Sequence, residues 1–271
     1  MSEPAHPPFR RLILRLENVE PTPQMARAAG QFAHLLGLHL HSIFLVDEAV
    51  FGLAQLPFTR ELRLPGHEWH PLDPDRLAAE LDQAASRAQR IVSDAVHVLG
   101  LNAAFEVVRG DPASCLSAFR DADDILAVMA SATAQVGSHR PFRNPLDSLV
   151  LVLPAHPAEW QGPIAIVLDG AGGPALPLAA RLAIAADAGL LLFGVTPAVL
   201  DAGLSHASAL GVPKERVTTR LLSAMEEEAI VQAARNSGSR LLVASRSITT
   251  DDPEAVASRL ARATDLPVLL A

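Results

Sequence analysis

The stretch Ile164-Ala165-Ile166-Val167-Leu168-Asp169-Gly170 decides the fold, because it is a continuous apolar run that ends in an acid and a glycine turn. Such a run is typical of a buried parallel strand, and helical periodicity follows it from Pro174 to Gly189. The same order opens the chain, with a strand at Leu12–Leu16 and a helix that ends near Gly37. The chain therefore contains one layout twice, at a spacing of about 150 residues, which indicates a duplicated domain.

Both copies alternate strands with helices, which predicts an α/β fold with a mostly parallel sheet covered on both faces. In the first copy the predicted strands are 12–16, 39–46, 104–108, 125–129 and 149–153, with helices at 23–36, 75–99 and 112–119. In the second copy the predicted strands are 164–168, 190–195, 216–221, 240–244 and 267–270, with helices at 174–188, 198–210, 223–236 and 252–263. We predict two domains, 9–154 and 163–271, joined by a linker at 154–162.

The copies differ in one segment, Glu48 to Pro74, which only the first copy carries between its second strand and second helix. Its apolar residues, which stand among prolines, are Phe51, Leu53, Leu56, Phe58, Leu62, Leu64 and Trp69. A loop of this length is usually functional or disordered, and the apolar content favours ordered packing. We expect a cover over exposed sheet or over a partner surface rather than a catalytic lid.

The composition limits the classes of function. The 271 residues are 49% hydrophobic and 19% charged, which is typical of a folded, soluble chain with room for two modest cores. The net charge of −8 argues against sequence-independent nucleic-acid binding. The single cysteine, Cys115, fits a reducing compartment and is expected to be a small buried apolar residue. A polar, Pro-rich start and the lack of a membrane-length apolar run make the cytoplasm the expected location.

The opening of the second copy, with Ile166–Gly170 followed by Ala179-Ala180-Arg181-Leu182-Ala183, resembles the universal stress protein domain, as does the close at Pro267-Val268-Leu269. The chain as a whole resembles the tandem, two-domain form of that family. The resemblance implies that each domain is Rossmann-like (adenine nucleotide alpha hydrolase-like), with a five-stranded parallel sheet of order 3-2-1-4-5. It also implies a crevice at the carboxyl ends of the strands.

The same resemblance implies how the two domains meet. The fifth strands, 149–153 and 267–270, are uninterrupted apolar runs that would each lie at a sheet edge, where they need a cover. Antiparallel pairing between them would make the chain an intramolecular pseudo-dimer. Whether whole chains also form a homodimer is left open.

Many members of the family bind ATP through an acid after the first strand and a phosphate cradle, G-x-x-G followed by nine residues and G-[ST]. The resemblance places the acid at Asp169-Gly170 in the second copy and at Glu17-Asn18 in the first. The cradle is lost in both copies: its positions fall on Ala130 and Thr133 in the first, where Gly137-Ser138 is displaced, and on Ala244, Ser247, Glu254 and Ala255 in the second. A carboxylate about 4 Å from a phosphate charge costs about 4 kcal/mol at an effective dielectric near 20. We therefore predict a degenerate ATP site and no cofactor.

Arg15 lies in the middle of the first strand and shares one face of it with Ile13 and Glu17. A charge buried there needs a counter-ion. The candidate counter-ions are Asp47, Asp123 and Asp124. In the alternative interpretation, Arg15 and Glu17 belong to the first-domain crevice and Arg15 binds an anion.

Histidines could ligate zinc, since His39 and His41 lie two apart on one strand and His67 and His70 follow in the inserted segment. No cysteine or tight carboxylate group accompanies them, so we expect no metal. The chain also lacks G-x-S-x-G, H-E-x-x-H and Walker motifs, so no catalytic constellation is specified.

These patterns lead to the hypothesis of a non-enzymatic, universal-stress-type protein in stress response, which binds a protein partner or a small ligand but neither nucleic acid nor membrane. The alternative is an adenine-nucleotide sensor that uses the second domain to hold ATP, AMP or adenosine. Its candidate residues are Asp169, Gly170, Val195, Ala244 and Ser247. A hydrolase or metal-dependent enzyme would need the pair His39 and His41, or Cys115, to meet further partners in the fold.

Overall fold

The computed structural model describes residues 9–17, 21–63, 66, 68–111, 114–115, 123–130, 149–157, 160–170, 173–248 and 252–271. Over these residues the chain has the predicted α/β fold. Ten strands form one mostly parallel sheet, two more form a separate hairpin, and seven α-helices accompany them.

The strands are β1 (Arg11–Glu17), β2 (His39–Asp47), β3 (Arg60–Arg63), β4 (Glu68–Pro71), β5 (Ala103–Gly110), β6 (Asp124–Met129), β7 (Val150–Leu153), β8 (Ile164–Val167), β9 (Leu190–Gly194), β10 (Val217–Leu221), β11 (Leu241–Ala244) and β12 (Val268–Leu270). The helices are α1 (Pro23–Leu36), α2 (Glu48–Ala54), α3 (Pro74–His97), α4 (Ala175–Ala185), α5 (Pro197–Ala209), α6 (Glu227–Arg235) and α7 (Pro253–Thr264). Within the described ranges, no helix is both long and apolar enough to cross a membrane.

The observed bounds lie close to the predicted ones. The largest difference is at α6, which begins at Glu227 rather than at 223, because the backbone at its N-cap, Glu226, is extended (φ −106°, ψ 151°). The helix predicted at 112–119 lies outside the described residues except for Ser114 and Cys115.

The order of the strands in the main sheet is β10-β9-β8-β11-β12-β7-β6-β1-β2-β5. We call β1, β2, β5, β6 and β7 the first half of the sheet and β8 to β12 the second half. Within each half all neighbouring strands are parallel. Each half also has the order 3-2-1-4-5 that the sequence resemblance implies.

The two halves join through β7 and β12, which pair antiparallel with Leu151 opposite Leu269 and Val152 opposite Val268. We call this pairing the seam. All residues of both strands are buried, and α7 packs on β7 as well as on β12. The predicted pairing of the fifth strands is therefore confirmed, and each apolar edge is covered by the other half.

Helices cover both faces of the second half. An apolar core that runs through both halves lies beneath α1, α3, α4 and α5 on one face. A second core lies beneath α6 and α7 on the other face. On that face of the first half, the described residues form a smaller cluster around Ile13 and Ile43, and the half-buried Cys115 packs against it as an apolar residue.

Local sequence signals explain where α1 begins and ends. The Thr22 side chain accepts a hydrogen bond from the backbone N–H of Met25 at 3.1 Å, and Pro23 occupies the first helical position, where its missing N–H is not needed. Gly37 ends the helix in the left-handed region at φ 65°, which glycine adopts without steric cost.

The inserted segment is ordered, as predicted, over the residues that the structure describes. Asp47 caps α2 by accepting from the backbone N–H of Ala49 at 2.8 Å, and β3 and β4 form an antiparallel hairpin. Leu64 lies outside the described residues.

The expectation that the apolar side chains of this segment are packed holds for Phe51, which packs against the main core, and is wrong for five others. The exposed fractions of Leu53, Leu56, Phe58, Leu62 and Trp69 are 55%, 40%, 75%, 45% and 62%. The hairpin explains part of this exposure, because its other face carries Glu61, which forms an ion pair with Arg76 at the start of α3.

The burial of the seam predicts that its side chains control stability. Leu151 is fully buried, so Leu151→Ala should reduce the free energy of unfolding by about 2–5 kcal/mol. Ile184→Ala, at a position that is 50% exposed on α4, is the matched control and should change it by less than about 0.5 kcal/mol. Urea unfolding of both variants provides the measurement, and equal effects would contradict the burial of the seam.

Candidate functional site

The second half has a topological switch point between β8 and β11, because the chain leaves β8 towards β9 and returns on the other side as β11. Open α/β sheets hold ligands at such a point, outside the carboxyl ends of the strands. Asp169 follows β8 there, and Ser247 follows β11. The Ser247 hydroxyl donates a hydrogen bond to Asp169 Oδ2, so the structure brings together two residues predicted for the site.

The backbone N–H groups of the turn after β11 already donate hydrogen bonds to acceptors within the protein. The N–H of Arg246 donates to the carbonyl of Ala271 at 3.0 Å, and the N–H of Ile248 donates to the carbonyl of Ser245 at 3.1 Å. The N–H of Ser247 donates to Ser245 Oγ at 3.3 Å. A phosphate cradle needs such N–H groups to point at the ligand, and here they already donate to acceptors of the protein.

The N-terminus of α7 holds two carboxylates of the chain. Asp252 Oδ1 accepts from the backbone N–H of Glu254 at 3.0 Å, which is an ordinary N-cap. Glu254 Oε1 lies 3.9 Å from Arg246 Nη1, and only 17% of the Glu254 side chain is exposed. The positive end of the α7 dipole, which would attract a phosphate, therefore faces negative charge that the protein supplies.

Arg15 is the second charged group that Glu254 affects. Burial lowers the pKa of Arg15 to about 10, and the charge of Glu254 acts in the opposite direction and raises it. Arg15 belongs to β1 in the first half and Glu254 to α7 in the second half, so this electrostatic interaction links the two halves.

The predicted counter-ions of Arg15 need correction, because each has another role. Asp124 accepts two hydrogen bonds from Arg11, at 2.7 and 2.9 Å, and Asp123 lies 3.8 Å from Arg10. Asp47 caps α2. The carboxylate whose charge acts on Arg15 comes from the other half, where α7 packs across the seam onto β7. The predicted pairing of the fifth strands was the feature of the sequence that could have indicated this electrostatic interaction.

The other predicted site residues lie at or near the same edge of their half. Gly170 adopts φ 104° in the turn after β8, and Val195 is half-buried directly after β9. Ala244 ends β11, and its carbonyl accepts from the N–H of Ala271 at 2.9 Å. In the first half, Glu17 ends β1 and its side chain is outside the described part of the structure. Thr133 and Gly137-Ser138 are outside it too.

The histidines that the structure describes form no common site. His41 Nε2 lies 3.4 Å from Glu106 Oε2, and His70 Nε2 lies 3.5 Å from Glu68 Oε2. His39 is exposed, and His67 falls outside the described residues. Among the side chains that the structure describes, no group of three or more His, Cys, Asp and Glu could hold a metal ion.

A groove of about 490 Å³ lies at the carboxyl end of β10, away from the switch point. Its lining includes Leu221, Glu226, Glu228 and Gln232 but neither Asp169 nor Ser247. Its two acidic side chains disfavour a phosphate there, so we place the candidate site at the switch point on chemical grounds.

Comparison with known proteins identifies the fold. No protein-family model matches the sequence, and no curated protein matches it. Among solved structures, the chain is similar to a universal stress protein from Archaeoglobus fulgidus DSM 4304, with a TM-score of 0.65, 14% identity, and coverage of 96% of this chain and 95% of that chain. It is also similar to a functionally unknown protein from Pseudomonas aeruginosa PAO1, with a TM-score of 0.48, 15% identity, and coverage of 97% and 92%. The first likeness shows that the fold is that of a universal stress protein.

The interaction of Arg15 with Glu254 leads to a prediction about stability. Glu254→Gln removes the charge that raises the pKa of Arg15, so the free energy of unfolding at neutral pH should fall by about 1–3 kcal/mol. Adding Arg15→Met to this variant should recover most of the loss, because no buried charge then remains without its counter-charge. Urea unfolding of the single and double variants gives the coupling energy.

The pH dependence of this loss gives an independent check. Arg15 is charged in the folded protein below a pKa of about 10, so the loss should be complete at neutral pH and shrink as pH rises through that value. Glu215→Gln, at an exposed position, is the control and should change stability by less than about 0.5 kcal/mol. A loss that Arg15→Met does not recover would contradict the interaction.

Proposed function

We propose that this chain is a tandem universal-stress-type protein without enzymatic activity, whose nucleotide crevice has lost its phosphate site. It acts in stress response by binding a protein partner or a small ligand. The fold and the repeated strand order support membership of this group, since each half has the order 3-2-1-4-5 and the halves join through their fifth strands.

One observation carries the loss of the phosphate site: Glu254 and Asp252 place two carboxylates at the N-terminus of α7. A phosphate charge about 4 Å from the Glu254 carboxylate would be destabilised by about 4 kcal/mol at an effective dielectric near 20. That energy corresponds to roughly a thousandfold weaker binding. The positive charges of Arg246 and Arg15 offset part of the repulsion between the phosphate and Glu254. Both side chains, however, already interact with Glu254.

The turn after β11 supports the same proposal independently. Its three N–H groups at Arg246, Ser247 and Ile248 donate to acceptors of the protein. A triphosphate would have to replace these hydrogen bonds before it could use the N–H groups, and each replaced bond removes stabilisation of the turn.

A second candidate function, a sensor of adenosine or AMP, rests on Asp169. This side chain is exposed at the switch point, and the bond from Ser247 uses one of its two carboxylate oxygens. Two hydroxyls of a ribose are suitable donors to such a carboxylate, and this contact needs no phosphate cradle.

Titration calorimetry with adenosine, AMP and ATP distinguishes the two candidates. We expect that adding phosphates does not strengthen binding, because the crevice presents carboxylates where the phosphates would lie. The double substitution Glu254→Gly and Ala255→Ser should then strengthen ATP binding by about tenfold or more, since it removes the repelling charge and restores a glycine. The melting temperature of this variant is measured alongside, so that a loss of folding is recognised.

Asp169→Asn is the matched variant for the sensor. If adenosine binds the wild-type chain and fails to bind Asp169→Asn, the sensor is supported and adenosine is the small ligand of the crevice; if adenosine does not bind, the sensor is contradicted. Low-micromolar ATP binding by the wild-type chain, tighter than that of adenosine, would overturn the loss of the phosphate site.

A further inference from the structure

Strand β10 is the last strand at one end of the main sheet, where it pairs with β9 on its inner side. Within the described residues, no strand pairs with its outer side. Four of its five residues, Thr218 to Leu221, are exposed, and the exposed fraction of Leu221 is 56%. An edge strand of this kind presents backbone groups to which another extended chain can bond.

The hydrogen bonds to β9 show which backbone groups of β10 point outward. Directly after the strand, the N–H of Leu222 donates to the carbonyl of Gly194 in β9 at 2.8 Å. The backbone groups of successive residues in a parallel strand point alternately to its two sides, so those of Arg220 also face β9. The N–H and carbonyl groups of Thr219 and Leu221 therefore face outward. In the described part of the chain, no other group bonds to them.

A groove of about 490 Å³ begins where this edge ends. It is lined by Leu221 at the end of β10, by the turn that follows, and by one face of α6. Arg220 Nη1 donates to the carbonyl of Ala233 at 3.0 Å, which holds α6 beside the strand. The lining combines apolar side chains such as Leu221 with the carboxylates of Glu226 and Glu228.

Glu226 and Glu228 give the groove two negative charges. Both side chains are exposed, and neither forms an ion pair within the part of the chain that the structure describes, whereas Glu227 between them is bonded to Arg259. Like charges along one groove repel each other, and a cation placed there would relieve the repulsion. A lysine or arginine side chain suits this groove, because its stem covers apolar surface while its charged end reaches the carboxylates.

We propose that β10 binds an extended segment of a partner protein that carries a basic side chain, and that this segment adds to the sheet as an eleventh strand. The inference names the surface and the kind of partner for the partner-binding role proposed above, and it rests on that role. The backbone of the segment bonds to Thr219 and Leu221, and its basic side chain enters the groove and reaches Glu226 and Glu228. In such strand addition, main-chain hydrogen bonds supply affinity and the side-chain site supplies specificity.

A second copy of this chain suits the same edge less well. Antiparallel pairing of two β10 strands centred on Thr219 would set Arg220 of one copy diagonally from the same residue of the other, on one face of the sheet. The amino end of β10, which would then lie near the groove, carries Glu215 as well as Lys214, and its Arg216 already forms an ion pair within the protein. The charges therefore favour a segment whose basic residue has no acid beside it.

Fluorescence anisotropy of a labelled peptide with the full chain tests the charge of the segment. The probe is a peptide of alternating threonine and valine with a lysine at each end, so that either strand direction places a lysine at the groove; the control peptide carries glutamate at each end. We expect saturable binding of the lysine probe, roughly fivefold to tenfold tighter than that of the control, because the exchange converts attraction to repulsion. The double substitution Glu226→Gln and Glu228→Gln should bring this ratio close to one.

A proline substitution tests the backbone contact. Thr219→Pro removes an outward N–H and leaves the hydrogen bonds to β9 in place, so it should weaken binding of the lysine probe by about tenfold or more. Thr219→Val, which keeps this N–H, is the matched control and should bind the probe as the wild type does. The melting temperature of each variant shows whether it folds; if Thr219→Pro does not, the ratio measured with Glu226→Gln and Glu228→Gln decides the outcome.

Three results would overturn the proposal: no saturable binding of the lysine probe, equal binding of the two peptides, or unchanged binding by folded Thr219→Pro. Sedimentation velocity of the chain alone adds a fourth, because a dimer that Thr219→Pro abolishes and Thr219→Val keeps would assign the edge to a second copy. The nucleotide titrations probe the switch point and not β10, so failure here is distinguishable from failure of the lost phosphate site.

Discussion

The antiparallel pairing of β7 with β12 is the contact on which the rest of the structure depends. Each half of the sheet ends in an apolar strand that would be exposed if the half stood alone, and the seam buries both strands at once. Since α7 packs on strands of both halves, its N-terminus comes to lie near the first half. The charge of Glu254 acts on Arg15 for this reason. The seam thus determines the electrostatics of the candidate site as well as the shape of the sheet.

Most of the fold follows from local patterns in the sequence. Continuous apolar runs such as 164–168 identified the parallel strands, and the match between copies together with the family resemblance predicted the order 3-2-1-4-5 and the seam. The electrostatic interaction of Arg15 did not follow from these patterns. The partner of Arg15 was sought among acids of the same copy, whereas the charge that acts on it belongs to a helix more than two hundred residues away.

The inserted segment shows a different limit of sequence reasoning. Apolar residues among prolines predicted an ordered segment, which α2 and the hairpin confirm, but they also suggested packed side chains. The alternation of side chains in β3 and β4 places Glu61 and Leu62 on opposite faces of the hairpin. It does not determine which of the two faces packs against the protein. The ion pair with Arg76 determines the orientation, and that contact depends on where α3 begins.

The convergence of Asp169 and Ser247 was predictable because both follow strands that meet at one switch point.

The reversal of strand direction at the seam also determines where the carboxyl ends of the strands lie in each half. Because the strands of one half run opposite to those of the other, the carboxyl ends of β1 and β6 lie on one rim of the sheet and those of β8 and β11 on the opposite rim. The edges at which the two halves would hold ligands therefore face in opposite directions. A single polypeptide can therefore present two unlike surfaces back to back, and the charge of Glu254 on Arg15 couples the halves that carry them.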